Sequence, residues 1–264
     1  MQTTKMLLNI EKIQDEIPFG SVNYFQTIDS TNSWLMENGN CGDICISETQ
    51  KKGRGRRGNK WFSPKTGNIY LSLRWCFHEI PEHWTLLGLV IGVAIAEVLA
   101  EFGLINHGIK WPNDVFWKDK KLGGILIETS DQSGVVIIGI GLNKVMSPEY
   151  DEMINQKIIG LDEALQEAKV LREELIIRLI LKLNQCLTDF KTLQFSQFIS
   201  SWKTWDILFG ETVSFEQYGE EITGTVVDID QYGRLGVQVK TGTIDYFSSA
   251  EIKVKRSTHA NTIG

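Results

Sequence analysis

The residue pattern of this 264-residue chain changes once, between Trp205 and Gly210, and that change limits the architecture more than any other feature. Beyond it, the runs TVSF, ITGTVVDI, LGVQV and TIDYF alternate apolar and polar residues, interspersed with Gly219, Gly224, Gly233 and Gly242. Short alternating runs between turn glycines predict the strands of a small β-barrel. Ahead of the change the signal is mixed. Residues 21–25, 44–48, 68–75, 109–111, 115–117, 124–128 and 135–140 read as strands, and Ser30 or Thr31 can cap a helix near Trp34. Thr85 to Phe102 predicts a buried helix closed by Gly103, and Glu163 to Leu193 a helix with one apolar stripe. The expectation is an α+β chain, a mixed β-sheet flanked by helices over 1–207 and a small all-β unit over 208–264.

Targeting and disulfide signals are weak. The charge-free run Trp84–Ala96 is shorter than the ~20 residues that cross a bilayer. Lys12, Asp15 and Glu16 interrupt the stretch where a signal peptide needs unbroken apolar residues. A cytoplasmic protein without membrane partners is expected. Cys41, Cys45, Cys76 and Cys186 do not form a disulfide framework or a zinc-ribbon spacing, so four reduced thiols are expected.

Charge is concentrated in one place. The net charge is −6, yet Thr49 to His78 holds eight basic residues and no acid. Such an island on an acidic chain marks a local anion site. At its centre lies GRGRRG (53–58). A dinucleotide fingerprint would continue into a helix and meet an acid ~20 residues on. Here Asn59 to Pro64 cannot open a helix and the next acid is Glu79. A P-loop would need Lys-Ser or Lys-Thr after Gly58. What remains is a loop whose glycines let N–H groups approach an anion and whose arginines fork onto its oxygens. Six cations between Lys51 and Lys60 predict a loop that stays mobile until anions neutralise it.

Four further motifs accompany the loop in order: Ser30-Thr31-Asn32, KWPND (110–114), KLGGILIE (121–128) and GIGLN (139–143). Together they resemble the biotin–protein ligases, from about residue 20 to the C-terminus. The resemblance implies an α+β ligase domain followed by a Src-homology-3-like barrel. It also implies an activity: biotin and ATP form biotinyl-5′-AMP, and biotin then passes to a lysine of a biotin carboxyl carrier protein. By position, Ser30, Thr31, Asn32 and Gln50 resemble the groups that hold the ureido head of biotin. Gly53, Arg54, Gly55, Arg56 and Arg57 match the loop over biotin and the phosphates, and Trp61 an aromatic near the adenine. Lys121 matches the lysine facing the carboxylate and α-phosphate, and Lys110 a second phosphate cation. Asn113 and Asp114 match a pair holding ATP, with Mg²⁺ near Asp114. Gly139 and Gly141 match bare strand beneath the bicyclic ring, and Asn143 a nucleotide contact.

The chain departs from the resemblance in places. Asn59 stands where many bacterial members have arginine, and Ile158 stands near a position that in some members holds an aromatic cover. Some members add an N-terminal winged helix; the 29 residues before Ser30 are too few, so no DNA binding is expected. The chain is expected to be a monomer or a weak ligand-linked homodimer, with residues 135–141 as a possible pairing edge. Two other readings stay open. A lipoate or octanoate ligase shares the fold, and a nucleic-acid module could use the Gly-Arg loop. Pyrophosphate release from ATP with biotin, and not with lipoate or octanoate, separates the three.

Overall fold

The computed structural model describes residues 8–254, except 66, 131–133, 147–149, 151–155, 167–169, 218 and 249–252. It begins with a short helix α1 (Ile10–Glu16), capped by Asn9, that the sequence reading did not foresee. Strand β1 (Val22–Phe25), helix α2 (Thr31–Asn38) and strand β2 (Ile44–Ser47) follow. Next come β3 (Ile69–Cys76), helix α3 (Leu87–Glu101), β4 (His107–Lys110), β5 (Asp114–Trp117), β6 (Lys120–Thr129) and β7 (Val135–Leu142). These seven strands form one sheet in the order β1-β2-β3-β7-β6-β5-β4, parallel only between β1 and β2.

Helix α3 is the centre of the core. Residues 84–101 have a mean hydropathy of 1.8, long and apolar enough to cross a membrane, contrary to the shorter run expected. Their burial gives them another role: Ile91, Ile95, Val98 and Leu99 are sealed against the sheet and against α4 (Arg172–Asp189) and α5 (Phe195–Trp205). Helix α4 is shorter than the predicted 163–193. Residues 161–164 form a separate helical turn, Gln166 takes a left-handed φ of 58°, and a tight turn at Phe190–Thr192 ends the element.

Two expectations are corrected. Strand β7 is no edge, because it is paired along its length with β3 and with β6; the sheet ends at β1 and β4. Cys41 and Cys76 are bonded as a disulfide rather than reduced, with Cα atoms 5.6 Å apart. The cause is strand register. Ile44 pairs with Leu73, and continuing that antiparallel ladder outward sets residue 41 opposite 76. Cys45 and Cys186 remain free thiols, each pushed up to about 12 by burial.

The C-terminal sheet contains β8 (Thr212–Gln217), β9 (Glu220–Ile229), β10 (Leu235–Val239), β11 (Ile244–Phe247) and β12 (Lys253–Val254), ordered β11-β10-β9-β8-β12 and antiparallel throughout. Val213, Phe215, Val226, Leu235 and Val237 fill its inner face. Two contacts tie the C-terminal region to β4 and to the turn that follows it. Ile207 N–H donates to Ile109 O (3.1 Å), and Trp111 Nε1 donates to Gly233 O (2.9 Å).

Candidate active site

The site starts at the N-terminus of α2. Ser30 caps the helix, its Oγ accepting from Ser33 N–H (3.4 Å), which leaves Thr31 and Asn32 buried in the first turn. Thr31 donates its backbone N–H (2.9 Å) and its hydroxyl (3.1 Å) to Gln50 Oε1. Gln50 Nε2 in turn reaches Ser63 Oγ (3.2 Å). Ser72, in the middle of β3, lies 2.7 Å from Thr31 Oγ1 and also bonds Asn32 Oδ1. Every buried polar group here needs a partner, and the neighbours supply it, so the donors and acceptors have fixed directions.

Glycines make room for this arrangement. A Cβ on Gly139 would fall 2.3 Å from Asn32 Oδ1, and one on Gly141 would fall 2.4 Å from the Trp61 ring. The bare stretch of β7 is thus covered by Asn32 and Trp61, whose indole N–H has no partner among the described residues.

The Gly-Arg segment folds as a small hairpin. Trp61 N–H donates to Gly53 O (2.9 Å), Gly55 N–H to Asn59 O (2.7 Å) and Asn59 N–H to Arg56 O (3.1 Å). Its tip turns through left-handed backbone at Arg57 (φ 56°) and Gly58 (φ 77°). From the hairpin Arg54 reaches Glu128 Oε2 (2.8 Å), and Arg56 reaches Asn113 Oδ1 (3.0 Å). Burial first, and the neighbouring Arg57 next, pull the Arg56 guanidinium below its usual pKa, although Asp114 opposes this. A partly desolvated arginine gains more than an exposed one from an incoming anion.

The opposite wall is the turn between β4 and β5, which passes through a cis Trp111–Pro112 peptide. Asn113 is locked to β6 by its side chain (Nδ2 to Ile125 O, 2.9 Å) and its backbone. Asp114 Oδ2 lies 2.9 Å from Lys121 Nζ, and both are mostly buried. Lys121 is held in turn by its backbone, bonded on both sides to the segment around Ile158. Its ammonium stands 5.4 Å from the centre of the Trp61 ring, and Lys110 Nζ stands 5.2 Å from that of Phe116.

These walls enclose a cleft of about 580 Å³. Among the described residues it is lined by six cations (Arg54, Arg56, Arg57, Lys60, Lys110 and Lys121) and one carboxylate, Asp114. Ser30, Thr31, Asn32, Gln50, Gly55, Trp61, Asn113, Gly139 and Gly141 line it as well. Gly53, at the base of the hairpin, does not line the cleft; a Cβ there would fall 2.5 Å from Trp61 O. Asn143 does not line the cleft; it is buried and its amide lies 3.4 Å from Lys121 O, bracing the strand that carries the lysine. Arg74, part of the basic island, points away and donates to the Leu35 and Met36 carbonyls at the end of α2. Ser63 and Ser72 were missed because a lone serine carries no signal, and Glu128 because the motif that ends on it was read for its lysine. Of the segment after GIGLN, Met153–Asn155 lie outside the described residues; Gln156 lines the cleft and Ile158 is buried.

A cleft that gathers cations beside a pocket of oriented polar groups defines a protein that brings anionic groups together and holds one ligand by its polar end. The sequence profile of the Biotin/lipoate A/B protein ligase family matches residues 24–144, and that of the Biotin protein ligase C terminal domain matches residues 208–255. The bifunctional ligase/repressor BirA of Salmonella typhimurium is 36% identical over 255 residues, covering 94% of this chain and 79% of the relative. The biotin–[acetyl-CoA-carboxylase] ligase of Mycobacterium tuberculosis is 29% identical over 77% of this chain and 76% of its own length. A solved biotin protein ligase from Aquifex aeolicus, in complex with biotin and ATP, superposes with a TM-score of 0.76 at 30% identity, covering 89% of this chain and 99% of its own. The chain belongs to the biotin protein ligase family.

Proposed function

We propose that this chain joins biotin to ATP as biotinyl-5′-AMP, releases pyrophosphate, and passes biotin to the acceptor lysine of a biotin carboxyl carrier protein. The observation that carries this reading is the cleft itself, with six cations and one carboxylate beside a closed polar network. Two anions, a carboxylate and an α-phosphate, repel each other, and their approach needs fixed positive charge away from bulk water. The Aquifex relative, solved in complex with biotin and ATP, supports that ligand pair.

In this reading Ser30, Thr31, Asn32 and Gln50 hold the ureido head, whose urea oxygen and N–H groups need both donors and acceptors. Gly139 and Gly141 let Asn32 and Trp61 lie close against the strand, which keeps this side of the pocket low for the ring. Arg54 and Arg56, with the backbone of Gly53 and Gly55, close over biotin and the phosphates. Lys121 neutralises charge growing at the α-phosphate as the carboxylate attacks, exchanging its contact with Asp114 for one with substrate. Arg57, Lys110 and Asn113 serve the phosphates, Trp61 packs on the ligand, and Asn143 acts through the Lys121 strand. Mg²⁺ commonly binds one or two carboxylates plus phosphate oxygens, and the single Asp114 fits an ion carried in on the triphosphate. When bound, the ion would share the phosphate charge with these cations.

We further propose a division into a ligase unit (1–207) and a C-terminal β-unit (208–264), and a cytoplasmic location. The test is pyrophosphate release by the purified chain. It should depend on biotin and not respond to lipoate or octanoate; release with either of those, or none with biotin, would overturn the reading. Sedimentation with and without biotin reports whether the chain pairs with itself.

A further inference from the structure

Glu128 closes the KLGGILIE motif without a role assigned to it above, yet it touches both halves of the site. The alternation of β6 puts it on the same face as Gly124 and Leu126, which line the cleft. A single carboxylate oxygen, Oε2, accepts from Asn32 Nδ2 (2.8 Å) and from Arg54 Nη2 (2.8 Å). Asn32 is 4% exposed, and its other end accepts from Ser72. A buried carboxamide pinned by a donor at one end and an acceptor at the other cannot exchange its ends, so the polar face it turns to the cleft is set by Ser72 and Glu128. The carboxylate is itself mostly buried, at 27% side-chain exposure, and the Arg54 guanidinium neutralises it.

We propose that Glu128 is a positioning residue that orients Asn32 and fastens the arginine hairpin to the same oxygen, so that the polar pocket and the cation loop are set together. This rests on the reading of the pocket as the holder of biotin. Glutamine at this position offers a neutral amide of either polarity to Asn32 and gives Arg54 no charge.

Pyrophosphate release is measured against biotin concentration for wild type, Glu128→Gln, Glu128→Asp, Asn32→Ala and the Asn32→Ala/Glu128→Gln double variant. Glu128→Gln should raise the KM for biotin by about fivefold or more while kcat stays within about twofold, since lost ground-state orientation acts on binding. In the Asn32→Ala background the same change should add clearly less to the KM than it does in wild type, because one of the two groups it sets is gone, while the faster hairpin cutting should persist. Glu128→Asp keeps the charge and should fall between wild type and Glu128→Gln. Limited trypsin digestion of the free proteins should cut between Lys51 and Lys60 faster in Glu128→Gln than in wild type. An unchanged KM, a full multiplicative effect in the Asn32→Ala background, or unchanged hairpin cutting would each overturn the proposal. Absence of biotin-dependent release in wild type would instead defeat the parent reading, and the digestion would still report on Glu128 and Arg54.

Discussion

The polar pocket at the start of α2 and the arginine hairpin facing it are built in opposite ways. In the pocket, Thr31, Asn32, Gln50 and Ser72 satisfy one another, and Thr31, Asn32 and Ser72 are almost fully buried. In the hairpin, Arg54 keeps 43% of its side chain exposed, and the cations around it outnumber the cleft's carboxylates. One region has its geometry before a ligand arrives; the other has a charge imbalance that a ligand corrects. The difference teaches where selectivity and rate are stored. A neutral, directional pocket discriminates by shape and hydrogen bonding, whereas clustered cations stabilise whatever negative charge develops between them.

The comparison can be broken most directly on the cation side. Lys121→Ala removes the ammonium proposed to face the reacting centre, and pyrophosphate release should fall by about 10²–10³, as for loss of one preorganised charge-stabilising group. The fold should survive; circular dichroism and release assays run together would show it, and release within a few-fold of wild type would remove Lys121 from its role. On the pocket side, Ser72→Ala leaves Asn32 Oδ1 without its donor. It should raise the KM for biotin by roughly tenfold with little effect on kcat, because an unpaired buried acceptor costs on the order of 1–3 kcal/mol. An equal fall in kcat would mean that the two regions are not separable as described.

A subtler probe concerns sealing. Arg56→Gly removes the fork that bonds Asn113 and adds backbone freedom to the hairpin. Adenylate should then escape and label bystander lysines, for example on albumin, with synthesis partly retained. An avidin blot with carrier and bystander together measures this, and unchanged selectivity would place Arg56 outside the seal.

The smallest effect is on stability, away from both regions. Asp206, between the two sheets, is raised to about 6, chiefly by burial and against the donors from Leu208 and Trp202. A carboxyl raised on folding stabilises the protein below its unfolded pKa, and that contribution is lost as pH rises through 6. The stability of Asp206→Asn relative to wild type should therefore increase between pH 4 and 7, by on the order of 2 kcal/mol. Paired thermal melts across that range test the sign; a flat difference would refute it.

Much of the fold was legible because its elements announce themselves locally. The helix at 87–101 is apolar all round, and 69–76 and the runs after 211 alternate. The site was legible where a motif carries the chemistry, as at residues 30–32, 53–58, 110–114 and 121. What was hidden depends on register between distant strands. Cys41 meets Cys76 only because β2 pairs with β3 in one particular register. Ser72 and Glu128 become parts of the site only when β3, β6 and α2 converge, and β7 could be taken for an edge until β3 was laid beside it. Asn143 shows the converse: a residue inside a recognisable motif that the fold turns into a brace.

The turn carrying Lys110, Asn113 and Asp114 is not held by its own sheet alone. Trp111 donates its indole N–H to the Gly233 carbonyl, and Tyr232, Gly233 and Arg234 share with Trp111, Pro112 and Asn113 a second cavity of about 580 Å³. The C-terminal sheet therefore works as a buttress. Cutting the chain where its residue pattern changes would leave the turn that carries Lys110, Asn113 and Asp114 unpropped on one side, so the seam that is easiest to see in the sequence is a poor place to divide the chain.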